Sequence, residues 1–281
     1  MLAVALALGS SLAWGVSDFL GGLKSRSVPL LAVLLISQGT ALGVLAVVVI
    51  ALGEEPPGGS FLLYAVLAGV AETVGVAALY RGLATGVMTI VAPVAATAPA
   101  VPVAVGIALG ELPSPLQSAG IALAVVGIAV TACQPDAPNR AGLGVGGSVA
   151  FGLLTALGFG GFYVAMDAAS EGGQIPWALA IARLIAVSMF VLAVLVSRTR
   201  LAMRRGDLGV IAVIGVVVIA GDSMYATATT HGLLSVVAVL STMYPVVTIA
   251  LARIHLKERI ERIQRIGIAA VLAGAVAIAA G

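Results

Sequence analysis

Residues 86–105 read GVMTIVAPVAATAPAVPVAV, and residues 232–251 read GLLSVVAVLSTMYPVVTIAL. With Gly86 on Gly232 the two stretches superpose without a gap. Thr89 then meets Ser235, Ala92 meets Ala238 and Pro99 meets Pro245. Beyond the match the register slips by one residue, which brings Gly110-Glu111-Leu112 over Lys257-Glu258-Arg259. The tails GIALAVVGIAV from Gly120 and GIAAVLAGAVAIA from Gly267 correspond, and upstream Trp14-Gly15 corresponds to Phe159-Gly160. An internal repeat of this length means that one supersecondary unit is used twice. The predicted units are 1–133 and 143–281, joined by a polar linker at 134–142.

Composition sets what that unit is made of. Of 281 residues, 61% are hydrophobic and only 9% are charged, against roughly 25% charged in an ordinary soluble domain. The chain lacks the residues for a soluble protein's charged shell, which excludes a soluble enzyme, a disordered chain and a nucleic-acid binder. One cysteine, Cys133, and two histidines, His231 and His255, leave no disulfide framework and no Cys/His metal site. A membrane helix needs about 20 apolar residues. Ten such helices with short connections consume the chain and leave no room for a catalytic domain. The first apolar run is followed, not preceded, by Lys24 and Arg26, the wrong polarity for a cleaved signal. It is read as a retained span.

Gly, Pro and charge punctuate the spans: Leu2–Leu23, Pro29–Leu52, Phe61–Tyr80, Val87–Leu109, Leu116–Cys133, Leu143–Met166, Ile175–Val196, Leu208–Thr230, Leu233–Ile254 and Ile266–Ala280. Of the 14 basic residues, all but Arg183 fall in or beside the odd-numbered connections. The even-numbered connections hold none, but carry Glu54, Glu55, Glu111, Asp167 and Glu171. Basic residues accumulate on the cytoplasmic side. The expectation is a multi-pass plasma (inner) membrane protein with both termini outside. Five spans per repeat is an odd number, so the second copy enters the membrane inverted. Inverted repeats with a site between them near the midplane are a construction of secondary transporters.

Through Trp14-Gly15, Pro99 with Gly110-Glu111, and Tyr244-Pro245 with Glu258, the chain resembles ten-span EamA-type members of the drug/metabolite transporter superfamily. The resemblance covers the whole chain; it departs at Lys257, where a glycine commonly precedes the glutamate. It implies an all-α membrane fold of two inverted five-helix bundles around a central cavity. Helices 1, 3, 4, 6, 8 and 9 would line that cavity, with the fifth helix of each half as a peripheral brace. It implies passage of small polar metabolites or drugs, usually export, without ATP hydrolysis.

An ionisable group inside a span costs about 2.5–3.5 kcal/mol on insertion scales and so faces a partner or a cavity. Four such groups stand out: Asp18, Glu72, Arg183 and Asp222. Glu72 lies near the middle of span 3, with Tyr80 further along its face. Asp222 is central in span 8, with Tyr225 at i+3, and falls on Val76 in the repeat, one turn from Glu72. Each acid suits a substrate-ammonium or proton site, or else an ion pair or a helix-packing hydrogen bond. Arg183 suits either a substrate carboxylate or neutralisation of Glu72 or Asp222. Asp18 shares a face with Ser11 and Trp14, and suits the cavity or a pair with Lys24 or Arg81. Ser241, Pro245 and Thr248 share a face of span 9, and Pro93 and Thr97 one of span 4. Pro93, Pro99 and Pro245 are candidate helix breaks for gating. Trp14, Phe159, Tyr163 and Tyr244 are candidate cavity walls. Gln38 reads as a structural residue of a peripheral helix.

These residues favour a carrier moving an amino acid, another zwitterion or a drug-like solute by alternating access. No enzyme activity and no cofactor are expected, and proton coupling stays open. The expected partners are the solute and the bilayer, and the chain fits a monomer or a homodimer. A lipid-modifying membrane enzyme would need clustered catalytic groups, whereas these acids stand singly. A scaffold would need no mid-span charges of both signs.

Overall fold

A computed structural model describes residues 1–25, 27–53, 55, 57–85, 88–131, 144–199, 201–255 and 262–280. Arg26, Glu54, Gly86, Val87, Cys133, the 134–142 linker with Arg140, Arg200, Lys257, Glu258 and Arg259 lie outside the described residues. No strand occurs among the described residues. The helices are α1 (Leu2–Lys24), α2 (Leu30–Leu52), α3 (Ser60–Thr85), α4 (Met88–Ala95), α5 (Ala100–Ala108), α6 (Pro115–Thr131), α7 (Gly144–Ser170), α8 (Ile175–Ser197), α9 (Arg205–Thr229), α10 (Leu234–Ser241), α11 (Tyr244–His255) and α12 (Arg262–Ala280).

Among the described residues twelve helices make ten spans, because α4–α5 and α10–α11 are each one span broken near its middle. Proline punctuates the breaks and several starts. Pro99 immediately precedes α5, and its neighbours tighten into i→i−3 bonds, Ala98 N to Ala95 O and Val101 N to Ala98 O. Pro245 is the second residue of α11. Pro93 lies inside α4 instead of at its break. Pro29 precedes α2, Pro115 opens α6 and Pro176 sits in the first turn of α8, where the missing N–H costs nothing. Eight described spans are long and apolar enough to cross a membrane. Their outward faces carry residues such as Val47, Ile50, Val196, Ile266 and Val276.

Two connections assigned from the sequence are shorter than expected. α3 continues through Arg81 to Thr85, and α7 through Asp167 to Ser170. Neither helix meets a proline there, and α3 carries Gly82 inside it, so a charge or a lone glycine does not end the helix.

The repeat is visible in the packing. α1 packs on α9, α10 and α11, and α7 packs on α3, α4 and α5. α2 meets α8, and α6 meets α12. Each contact maps onto its partner, or onto itself, when the halves are exchanged. The correspondence holds at single residues. A Cβ at Gly15 would strike Val247 and the Tyr244 carbonyl; one at Gly160 would strike Val101 and the Ala98 carbonyl. A Cβ at Gly221 would strike the Trp14 ring, and one at Gly75 the Phe159 ring. In α6 and α12, Gly120 lies against the Gly274 carbonyl and Gly127 against the Gly267 carbonyl. The repeats are therefore inverted copies, but they pack crosswise instead of forming one bundle each.

Candidate functional site

The crossed packing brings α1, α2, α3, α7, α9 and α11 around one cavity of about 380 Å³. α1 gives it Trp14, Ser17, Asp18 and Gly21, its cap gives Ser25, and α2 gives Leu30, Val33, Ser37 and Gln38. Glu72, Val76 and Leu79 come from α3, and Phe159, Phe162 and Tyr163 from α7. Ile214, Val218 and Asp222 come from α9, and Tyr244 from α11. The lining runs from the α1–α2 turn at Ser25 and Leu30 down to Trp14. At 1.5 Å per residue, Ser25 to Trp14 is roughly 16 Å along α1, about half of a 30 Å hydrocarbon layer.

At the deep end the mid-span charges meet. The Arg183 guanidinium, with 0% of its side chain exposed, donates from Nη1 to Glu72 Oε1 at 2.9 Å and from Nη2 to Glu72 Oε2 at 2.6 Å. This is the two-pronged pairing for which a guanidinium is shaped. Nη1 also donates to Gln38 Oε1. Nη2 lies 3.1 Å from Asp222 Oδ2, outside hydrogen-bond geometry. The Trp14 indole donates from Nε1 to Asp222 Oδ1 at 2.9 Å. Gly221 makes that bond possible, since a Cβ there would sit 2.8 Å from Trp14 Cδ1. Glu72 and Asp222 thus face one cation, and Arg183 does not offer its charge to the cavity.

The sequence candidates fall into three groups. Trp14, Asp18, Glu72, Asp222 and Tyr244 line the cavity, with Arg183 directly behind. Thr97, Tyr225 and Ser241 do not line it. The Thr97 hydroxyl returns to the Val94 carbonyl at 2.7 Å in the α4–α5 break. Tyr225 is fully buried beneath Trp14, ring centroids 5.7 Å apart, and its hydroxyl donates to the Tyr163 carbonyl. Ser241 is buried at the end of α10. A shared helical face does not say which neighbour that face meets, and these three face other helices or their own backbone instead of this cavity. Tyr80 lies in α3, but its side chain, like that of Pro93, is outside the described residues.

Gln38 was missed. Its helix, α2, is a cavity wall instead of a peripheral one, and Gln38 directly accepts from Arg183. Carrying the Trp14–Phe159 register onward would have shown Gln38 and Arg183 to be repeat equivalents. Asp18 has no hydrogen-bond or salt-bridge partner among the described residues. Lys24, one of its expected partners, bonds Asp207 Oδ1 at 2.9 Å instead.

The opposite end is closed by polar contacts. The Glu111 carboxylate accepts from the backbone N–H of Leu234 and, at 3.1 Å, of Ser235, the first residues of α10. An anion there satisfies amides that a helix leaves unpaired and sits at the positive end of its dipole. Gly110, with φ of 97°, occupies the left-handed region that favours glycine and turns Glu111 back over α5. Leu234 to Met243 are buried without interruption.

The comparisons with known proteins agree with this architecture. A solved crystal structure of a protein shares the fold with a TM-score of 0.78 at 17% identity, over 98% of this chain and 95% of that one. At that identity the likeness bears on the fold alone. Among curated proteins none matches. The sequence model of the EamA-like transporter family matches twice, at residues 1–133 and 147–280, once for each inverted repeat. A multi-pass helical membrane protein built from two copies of this unit around a central cavity, the chain belongs to the EamA-like transporter family, a family of membrane transporters.

Proposed function

We propose that the chain is a secondary carrier that moves a small organic solute across the plasma membrane by alternating access, with net movement outward. The observation that carries this reading is the cavity itself. It runs from one end of the molecule to about mid-membrane and stops at Glu72, Asp222 and an aromatic floor. The far end is shut by the Glu111 cap on α10. A pore would be continuous, whereas a carrier exposes its site to one side at a time. The cavity reaches the end where the basic connections gather. By the positive-inside rule that end is cytoplasmic, so this is a cytoplasm-facing state with both termini outside. Loading from the cytoplasm suits export.

Glu72 is the group assigned to the solute. Its side chain is 16% exposed, the most accessible member of the Arg183 cluster. Counterflow into proteoliposomes tests the proposal. Wild-type protein should exchange its solute saturably, and Glu72→Gln should insert normally but exchange little or none. Non-saturable flux in the wild type would identify a pore. Wild-type exchange by Glu72→Gln would remove Glu72 from the site.

A further inference from the structure

The charges and donors on the cavity wall discriminate between classes of solute. Three carboxylates, Asp18, Glu72 and Asp222, line the cavity. The cation beside them, Arg183, is wholly buried, with both terminal nitrogens held by Gln38, Glu72 and Asp222. Lys24, near the mouth, is bonded to Asp207. No free cation therefore faces the cavity from the described lining, while Asp18 is exposed to it with no hydrogen-bond or salt-bridge partner. Asp222 Oδ2 is buried and lacks a hydrogen bond.

The hydroxyl donors are also spent. Ser17 donates to the Trp14 carbonyl, Ser25 to Gly21 and Ser37 to Leu34. The donors that remain, such as the Tyr163 phenol and the Gln38 amide, are neutral. A solute carboxylate would enter a negative cleft without a counter-charge. A cation would meet a free carboxylate in a low-dielectric recess that concentrates positive ions. The floor adds a second attraction. Trp14 lies 5.9 Å from Tyr163 and edge-on to Tyr244 at 6.3 Å, centroid to centroid. Indole and phenol rings attract ammonium groups, especially where water is excluded.

We propose that this cavity selects an organic cation, an ammonium carried on an aromatic or aliphatic body, over zwitterions and anions of the same size. The proposal rests on the carrier reading above and narrows its solute class. Asp18 makes first contact near the mouth, and Glu72 with Trp14 receives the cation at the floor.

Four probes that share one ring and differ in charge test it: benzyltrimethylammonium, phenylalanine, benzoate and benzyl alcohol. The chain has two tryptophans, so purified full-length Trp177→Phe protein leaves Trp14 as the reporter. Benzyltrimethylammonium should change Trp14 fluorescence saturably and bind at least ten-fold more tightly than the other three. Asp18→Asn should weaken it ten-fold or more with an unchanged melting temperature, since Asp18 holds no structural partner. Tighter binding of phenylalanine or benzoate, still sensitive to Glu72→Gln, would overturn the cation class and leave the carrier site standing. Equal affinity in the parent, Asp18→Asn and Glu72→Gln would overturn the proposal. No saturable response to any probe would overturn it too, and counterflow of metabolite mixtures would then decide the carrier reading separately.

Discussion

Replacing Arg183 with methionine removes the one cation from a buried cluster that holds two acids. The methionine fills much of the alkyl volume, so the loss is mainly electrostatic. Glu72 loses both of its guanidinium bonds, at 2.9 and 2.6 Å, and Asp222 loses its ion-pair contact at 3.1 Å. Asp222, 2% exposed, keeps only the Trp14 indole bond, while Glu72 at 16% can draw on cavity water. Removing one partner of a buried ion pair costs about 3–5 kcal/mol, because the remaining charge is left uncompensated. Arg183→Met should therefore lose about 3–5 kcal/mol in equilibrium unfolding in mixed detergent micelles. The same physics predicts rescue. Combining Arg183→Met with Glu72→Gln and Asp222→Asn removes all three charges and should recover most of that loss, since neutral replacement of a buried ionic group is often close to neutral in energy. Arg183→Met unfolding within about 1 kcal/mol of the parent, well short of that cost, would refute the reasoning, as would a triple variant no more stable than the single one.

Gly221→Ala should push the indole off Asp222, since the new methyl would stand 2.8 Å from Trp14 Cδ1. In a Trp177→Phe background, unchanged Trp14 emission and acrylamide quenching would contradict this. Glu111→Gln keeps the shape of the α10 cap but removes its charge, and should cost about 1 kcal/mol of stability; an unchanged unfolding curve would show that the charge is idle. Gly127→Leu drives a side chain into the α12 backbone at Gly267 and Val271 and should cost about 1–3 kcal/mol or more. Probe affinity at the cavity should survive, because neither α6 nor α12 lines it, and lost affinity at retained stability would say otherwise. A C-terminal alkaline-phosphatase fusion should be active and a C-terminal fluorescent-protein fusion dark, and the reverse pattern would invert the topology.

The fold was legible because the bilayer leaves few choices. An apolar run near 20 residues crosses it, and the division of basic residues between alternate connections counts the crossings. Pro99 and Pro245 marked the broken fourth spans, since each removes an N–H at an equivalent place in the repeat. The depth of Glu72, Asp222 and Arg183 followed from counting residues along their helices, and depth told that these charges needed partners. The sequence offered Glu72 and Asp222 as the acids that Arg183 could neutralise, but the choice between them and a solute carboxylate, and the geometry of the pairing, were not legible. That Arg183 grips Glu72 two-pronged and shares Asp222 depends on how α8 is rotated between α3 and α9, and a uniformly apolar helix carries no periodic signal for rotation. α2 shows the same difficulty. The family resemblance left helix 2 out of the lining and so made Gln38 peripheral, whereas the repeat places it opposite Arg183.

The two halves differ at the positions where they meet around Arg183. Gln38 stands opposite its equivalent Arg183, Val76 takes the place of Asp222, Val218 that of Glu72, and Phe159 that of Trp14. Some equivalents beside it are identical: glycine for glycine at Gly75 and Gly221, and proline for proline at Pro99 and Pro245. One half supplies an acid and an amide, and the other an acid and the cation. Arg183 therefore bonds in both directions, to Glu72 on α3 and to Asp222 on α9. Those helices belong to different packing units, α3 with α7 and the fourth span of its own half, α9 with α1. The guanidinium is the tie between the units at the floor of the cavity. Parting the units there must stretch either the Glu72 bonds or the Asp222 contact. The second is the weaker, at 3.1 Å and outside hydrogen-bond geometry. A cation received at Glu72, as proposed above, would compete with Arg183 for that carboxylate. Under the proposed carrier reading, solute occupancy and separation of the units would draw on the same bonds, which is the coupling a carrier needs between loading its site and changing the side to which the site opens.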